Sequence, residues 1–84
     1  MSKPTRIQVL VRLKAGVLDV QGKAIETGLG DMGVKGVSNI GVGKLIEFDV
    51  SNKTPAEARE LAEDLSRTLL ANSVIERFEI KEVA

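Results

Sequence analysis

The chain has 84 residues, with 12 basic and 12 acidic side chains, no formal net charge and 43% hydrophobic residues. That length builds one small domain, residues 1–84, with little core to bury, and such domains gain stability by oligomerising. The charge balance argues against a nucleic-acid or anionic-membrane binder, which carries a basic excess. The absence of cysteine removes disulfides, thiolate chemistry and cysteine metal sites, and no apolar run approaches the roughly 20 residues of a bilayer-spanning helix. Met-Ser-Lys-Pro-Thr-Arg opens the chain with no apolar signal core behind it, so a cytoplasmic location is expected.

Ile7, Val9, Val11 and Leu13 alternate with Gln8, Leu10 and Arg12, the period of a half-buried strand. After Gly16 the period changes: Ile25, Leu29 and Met32 fall on one face of a helix, with Asp19 placed as its N-cap. Gly33 and Gly36 flank the turn that ends this helix. Ile40 and Val42 alternate with Asn39 and Gly41 as a short strand, and Ile46, Phe48 and Val50 alternate with Glu47 and Asp49 as a stronger one. Gly43-Lys44 between them predicts a tight hairpin, or else the two pieces form one long bent strand. Thr54, Pro55 and Glu57 supply N-cap, N1 and N3 of a second helix, a capping box. Ala58, Leu61, Ala62, Leu65 and Leu69 form its apolar stripe, and Arg59, Glu60, Glu63, Asp64 and Arg67 its solvated side. Asn72 is expected to stop that helix, and residues 74–83 to form the last strand, with Phe78 and Ile80 on one side.

The expected order is β-α-β-β-α-β: an α+β, ferredoxin-like two-layer sandwich, with both helices on one face of a four-stranded, mostly antiparallel sheet. Leu10 and Leu45 then point away from the helices, onto a face that a partner or second copy would cover.

No catalytic constellation emerges. Histidine, cysteine and tyrosine are absent, and the serines have no evident activating base. The carboxylates lie mainly on the solvated side of the second helix and on the last strand, where a charged surface explains them. Gly28-Leu29-Gly30-Asp31-Met32-Gly33 matches the letters of a dinucleotide fingerprint, but it closes a helix instead of opening one. Gly43-Lys44 fails as a phosphate-binding loop, because Ser38 stands where the first glycine is needed and Leu45 where Ser or Thr is needed. Lys14, Lys23 and Lys44 remain as cations that can meet an acidic or phosphorylated surface. Folding accounts for Asp19 as a cap, for Asn72 as a helix stop and for Gly16 and Gly22 as backbone geometry, although Gly22 also lets another chain approach closely. Gln21 is harder to explain by folding alone.

The run Lys14-Ala15-Gly16-Val17-Leu18-Asp19-Val20-Gln21-Gly22-Lys23-Ala24-Ile25 resembles the opening segment of the PurS family, small subunits of phosphoribosylformylglycinamidine (FGAM) synthase. Val42-Gly43-Lys44-Leu45-Ile46 is similar to the family's central Gly-Lys segment, and Leu69-Leu70-Ala71-Asn72-Ser73-Val74-Ile75-Glu76 to its closing one. The three blocks come in the family's order and spacing. Gly41 stands where the family pattern has Arg, and Ser73 where it has Pro.

The resemblance implies a subunit without an active site of its own, which joins a large synthetase subunit and a glutaminase subunit. Their complex uses ATP, Mg and glutamine; this chain is expected to bind no cofactor or metal itself. It also implies a homodimer, with a tetramer as the alternative, that supports ammonia transfer between the two catalytic sites. Lys14, Gly16, Asp19, Gln21, Gly22 and Lys23, with Gly43, Lys44 and Asn72, are the expected subunit-interface residues. The alternative is a free-standing ACT-like amino-acid sensor of the same element order, with Asp19 and Gln21 as ligand-binding groups. ACT domains are commonly fused to an enzyme, and no fused enzyme domain is expected here; the chain is expected to be a subunit of an ATP-dependent, glutamine-using C–N ligase. A nucleic-acid-binding domain of similar topology needs exposed aromatics on the sheet, whereas Phe48 and Phe78 fall on expected core faces.

Overall fold

The computed structural model describes residues 3–83. Met1, Ser2 and Ala84 fall outside them, and so does part of the opening segment read for a targeting signal. The chain order is β1 (Thr5–Leu13), α1 (Val20–Asp31), β2 (Lys44–Val50), α2 (Pro55–Leu65), a π-helical turn (Ser66–Leu70) and β3 (Glu76–Val83). The sheet is antiparallel with order β2-β1-β3.

Alternation in β1 places Ile7, Val9 and Val11 on one face, where all three are buried. Val50, Ile80 and the partly buried Ile46, Phe48 and Phe78 extend that face across β2 and β3. Helix α2 lies over it with Ala58 and Ala62 fully buried, small side chains that let the helix sit close to the strands. Its start is the expected capping box: Thr54 Oγ1 accepts from the Glu57 amide at 3.2 Å, and the Glu57 carboxylate accepts from the Thr54 amide at 2.9 Å. At the other end Ser66 Oγ donates to the Ala62 carbonyl at 2.7 Å, and Thr68 Oγ1 to that of Asp64 at 2.8 Å. Such back-bonding loosens a helix, and the chain widens into the π turn before Ala71 becomes extended. Asn72 lies beyond that turn, so the helix stops earlier than expected, and the last strand begins at Glu76 instead of residue 74.

The sheet corrects the expected architecture: among the described residues it has three strands, not four, and Gly43-Lys44 forms no hairpin. Residues 39–42 alternate in sequence but pair with no strand. Asn39 takes a left-handed φ of 56°, which breaks the extended run before it starts, and the Val42 amide is engaged by a side chain. Strand β2 therefore opens at Lys44.

The second correction concerns α1. It does not share a sheet face with α2. A three-stranded sheet is roughly 15 Å across, and one helix with its side chains is about 10–12 Å wide, so α2 alone nearly covers it. Helix α1 instead projects as an arm, with Ile25 47% and Met32 77% exposed. The molecule measures 55 × 26 × 15 Å, with a radius of gyration of 16.7 Å against about 12 Å for a compact domain of this length. Helix α1 ends as expected: Gly33, at φ 79°, donates to the Gly30 carbonyl and Val34 donates to that of Leu29, a Schellman closure.

The core assignment has a direct test. Ile7→Ala is expected to cost about 2–5 kcal/mol in urea unfolding. Thr54→Ala is expected to cost about 1 kcal/mol through the lost cap.

Candidate interaction site

The corner where β1 hands over to α1 is built around one carboxylate. Asp19 caps α1 by accepting from the Gly22 amide at 2.8 Å through Oδ1. Its other oxygen, Oδ2, accepts from the Val42 amide at 2.7 Å, across 23 residues of chain. The Val42 bond, then the Gly22 bond, hold the Asp19 carboxyl below its ordinary pKa, because both favour the charged form.

Two glycines permit this crossing. A Cβ on Gly22 would collide with the Ile40 carbonyl, and one on Gly43 with the Val11 carbonyl. Residues 40–43 thus run between the first turn of α1 and the end of β1, closer than any side chain allows. Gly16 completes the corner with a φ of 86°, in a turn where the Val17 amide donates to the Lys14 carbonyl at 3.1 Å.

Lys14 ties the same corner to the start of β3. Its Nζ donates to the Ser73 carbonyl at 2.6 Å, and its amide to the Ile75 carbonyl at 2.8 Å. Asn72 organises the far side of that contact: Oδ1 accepts from the Val74 amide at 3.1 Å, and the Asn72 amide donates to the Glu76 carboxylate at 2.7 Å.

Of the nine residues singled out by sequence, Lys14, Gly16, Asp19, Gly43 and Lys44 line a single open groove of about 970 Å³. Gln21 lines an adjoining recess of about 180 Å³ together with Asp19, Gly43, Lys44 and Glu76. Gly22 is buried beneath the groove; Lys23 and Asn72 are exposed and do not line it. Gly41 also lines the groove, with nothing within 4 Å of a Cβ built there, so the arginine of the family pattern would have room. The sequence places Ile40 and Arg12 only by strand alternation and gives Arg77 no role; the structure shows Ile40 as the contact for Gly22 and the two arginines as cations of the groove. The arginine pair is visible only once the strand register is known. No cluster of three or more His, Cys, Asp or Glu that could hold a metal occurs among the described residues. The groove offers cations, backbone and apolar surface, which suits it to recognition.

Comparison with known proteins agrees with the sequence motifs. Residues 6–84 match the family model described as PurS: phosphoribosylformylglycinamidine (FGAM) synthase. The phosphoribosylformylglycinamidine synthase subunit PurS of Synechocystis sp. is 36% identical over 78 residues, covering 93% of this chain and 78% of that protein. Its counterpart from Mycobacterium leprae is 40% identical over 75 residues, covering 89% and 91%. Among solved structures, a chain of PurLQS from Thermotoga maritima superimposes with a TM-score of 0.88 at 26% identity, covering 98% of this chain and all of that one.

Two measurements test the corner. The NMR shifts of the Gly22 and Val42 amides should titrate together, with a midpoint below the ordinary carboxylate value of 3.8. Since the folded pKa is lowered, the Asp19 contribution to stability is complete above that ordinary value. It is lost as pH falls through the folded one. Separately, Gly28→Ala, with open space around it, should stabilise α1 by about 0.5–1 kcal/mol. Gly22→Ala should destabilise it despite the same gain in helix propensity, as read by thermal unfolding followed by circular dichroism. The chain belongs to the PurS family of FGAM synthase subunits.

Proposed function

We propose that this chain, as a single domain over residues 1–84, assembles the synthetase and glutaminase subunits of FGAM synthase and supports ammonia transfer between them in purine biosynthesis. The observation that carries the reading is the agreement of nearly the whole fold, arm included, with the chain in PurLQS. In the complex the glutaminase releases ammonia from glutamine. The synthetase uses ATP and Mg to activate the amide oxygen of formylglycinamide ribonucleotide and adds the ammonia. Ammonia must reach the second site before it protonates or escapes into water, which requires a sealed and stable junction. The family assignment displaces the amino-acid-sensor reading.

The arm supports a homodimer. Ile25 and Met32 form an apolar stripe with no sheet beneath it, and Val20, Val34 and Val37 are also exposed. Residues 39–42 and the two outer edges of the sheet leave backbone groups without a ladder partner, so a second copy both covers the stripe and supplies fourth-strand pairing. The corner from Lys14 to Lys23, with Gly16, Asp19 and Gln21, together with Gly43, Lys44 and Asn72, faces the partner subunits in this reading, and the buried Gly22 shapes it from within. No helix among the described residues is long and apolar enough to cross a membrane, and a cytoplasmic complex fits the role.

The test is synthase activity of the other two subunits with and without this chain, fed with glutamine or with free ammonia. The chain should be required with glutamine only. The double variant Gln21→Ala, Lys23→Glu should lower the glutamine-dependent rate by roughly tenfold or more and spare the ammonia-dependent rate, because misplacement penalises transfer between sites. A variant that couples glutamine use normally overturns the assignment of this corner.

A further inference from the structure

Five arginines are present, and three have carboxylate partners. Arg6 pairs with Asp49 at 3.3 Å and Glu47 at 3.6 Å, Arg59 with Glu63 at 3.8 Å and Glu82 at 4.0 Å, and Arg67 with Asp64 at 3.0 Å. Arg12 and Arg77 have no carboxylate at such distances among the described residues. They stand directly opposite each other in the β1–β3 ladder, on the sheet face turned away from α2, and both are exposed.

Like charges directly opposite across a ladder destabilise the sheet they sit on. Glu79 lies two residues along β3 on the same face but forms an ion pair with neither. The pair borders the groove described above, and its neighbours are apolar: Leu10 is two residues from Arg12 and pairs in register with Leu45, which is half exposed.

We propose that Arg12 and Arg77 together receive a carboxylate side chain from an acidic and apolar segment of a protein partner, laid across the open sheet face beside Leu10 and Leu45. Two planar guanidinium forks match a carboxylate in shape and charge, and an anion held between them offsets the guanidinium–guanidinium repulsion. A free phosphate would use the arginines but not the leucines. A polyanion such as nucleic acid would meet Glu47, Asp49 and Glu79 on the same face, on a protein with no net positive charge. This inference rests on the proposed assembly role, since that role supplies the protein partner.

The test compares wild type with the double variant Arg12→Gln, Arg77→Gln, measuring binding to the synthetase and to the glutaminase from about 0.05 to 0.5 M salt. The variant should bind one of these subunits on the order of tenfold more weakly at low salt, with a flatter salt dependence. Its urea midpoint should hold or rise, because a repulsive pair is removed, so weakened binding does not reflect unfolding. If the wild type binds neither subunit, the assembly role and this inference both fail. If both proteins bind equally with the same salt slope, the inference alone is overturned. A loss confined to self-association identifies a second copy as the occupant and overturns it. So does inorganic phosphate that raises the melting temperature of the wild type but not of the variant, with subunit binding unchanged.

Discussion

The Asp19 carboxylate fixes the geometry of this molecule. One oxygen holds the first turn of α1 and the other holds Val42 just before β2, so a single side chain sets the direction in which the arm leaves the sheet. Amide donors favour the ionised form, and the local turn and the long-range crossing strengthen together. The crossing works because Gly22 and Gly43 remove the side chains that would hold the backbones apart. Replacing either glycine separates elements that the carboxylate can join only at hydrogen-bond distance.

Sheet width is the second constraint. With Ala58 and Ala62 buried against β1 and β3, α2 fills the core face, and a second helix finds no surface to cover. Ile25 and Met32 of the arm therefore stay exposed, with no sheet beneath them among the described residues. The organisation suits a subunit whose stability and function are both completed by contacts with other chains.

The parts of the fold legible in the sequence are those decided by neighbouring residues. Asp19 and the set Thr54, Pro55 and Glu57 announce helix starts because the bonds they make reach only three residues ahead. Alternation in β1 and β2 announced strands that the register confirms. The same alternation at residues 39–42 misled, since period alone supplies neither a pairing partner nor a warning that Asn39 turns left-handed and Asp19 takes the Val42 amide. The stripe of Ile25, Leu29 and Met32 was read with the right period, but what covers it is not written in this chain. In the candidate site, Gly16 and Asp19 stand out at the strand-to-helix change of period and Lys14 and Lys44 as cations, and the motif resemblance joins them with Gly43 into one expected interface. The opposition of Arg12 and Arg77 is a property of register, and no local pattern carries it.

The projecting arm also bears on how long an unassembled copy survives. Local opening costs least where few apolar contacts must be broken, and α1 buries only Gly22 along its length, whereas β1 carries the centre of the core. The arm therefore unfolds without taking the sheet with it. Proteases cut in proportion to the open population when reclosing is fast. A copy without partners offers them α1 before any strand of the sheet.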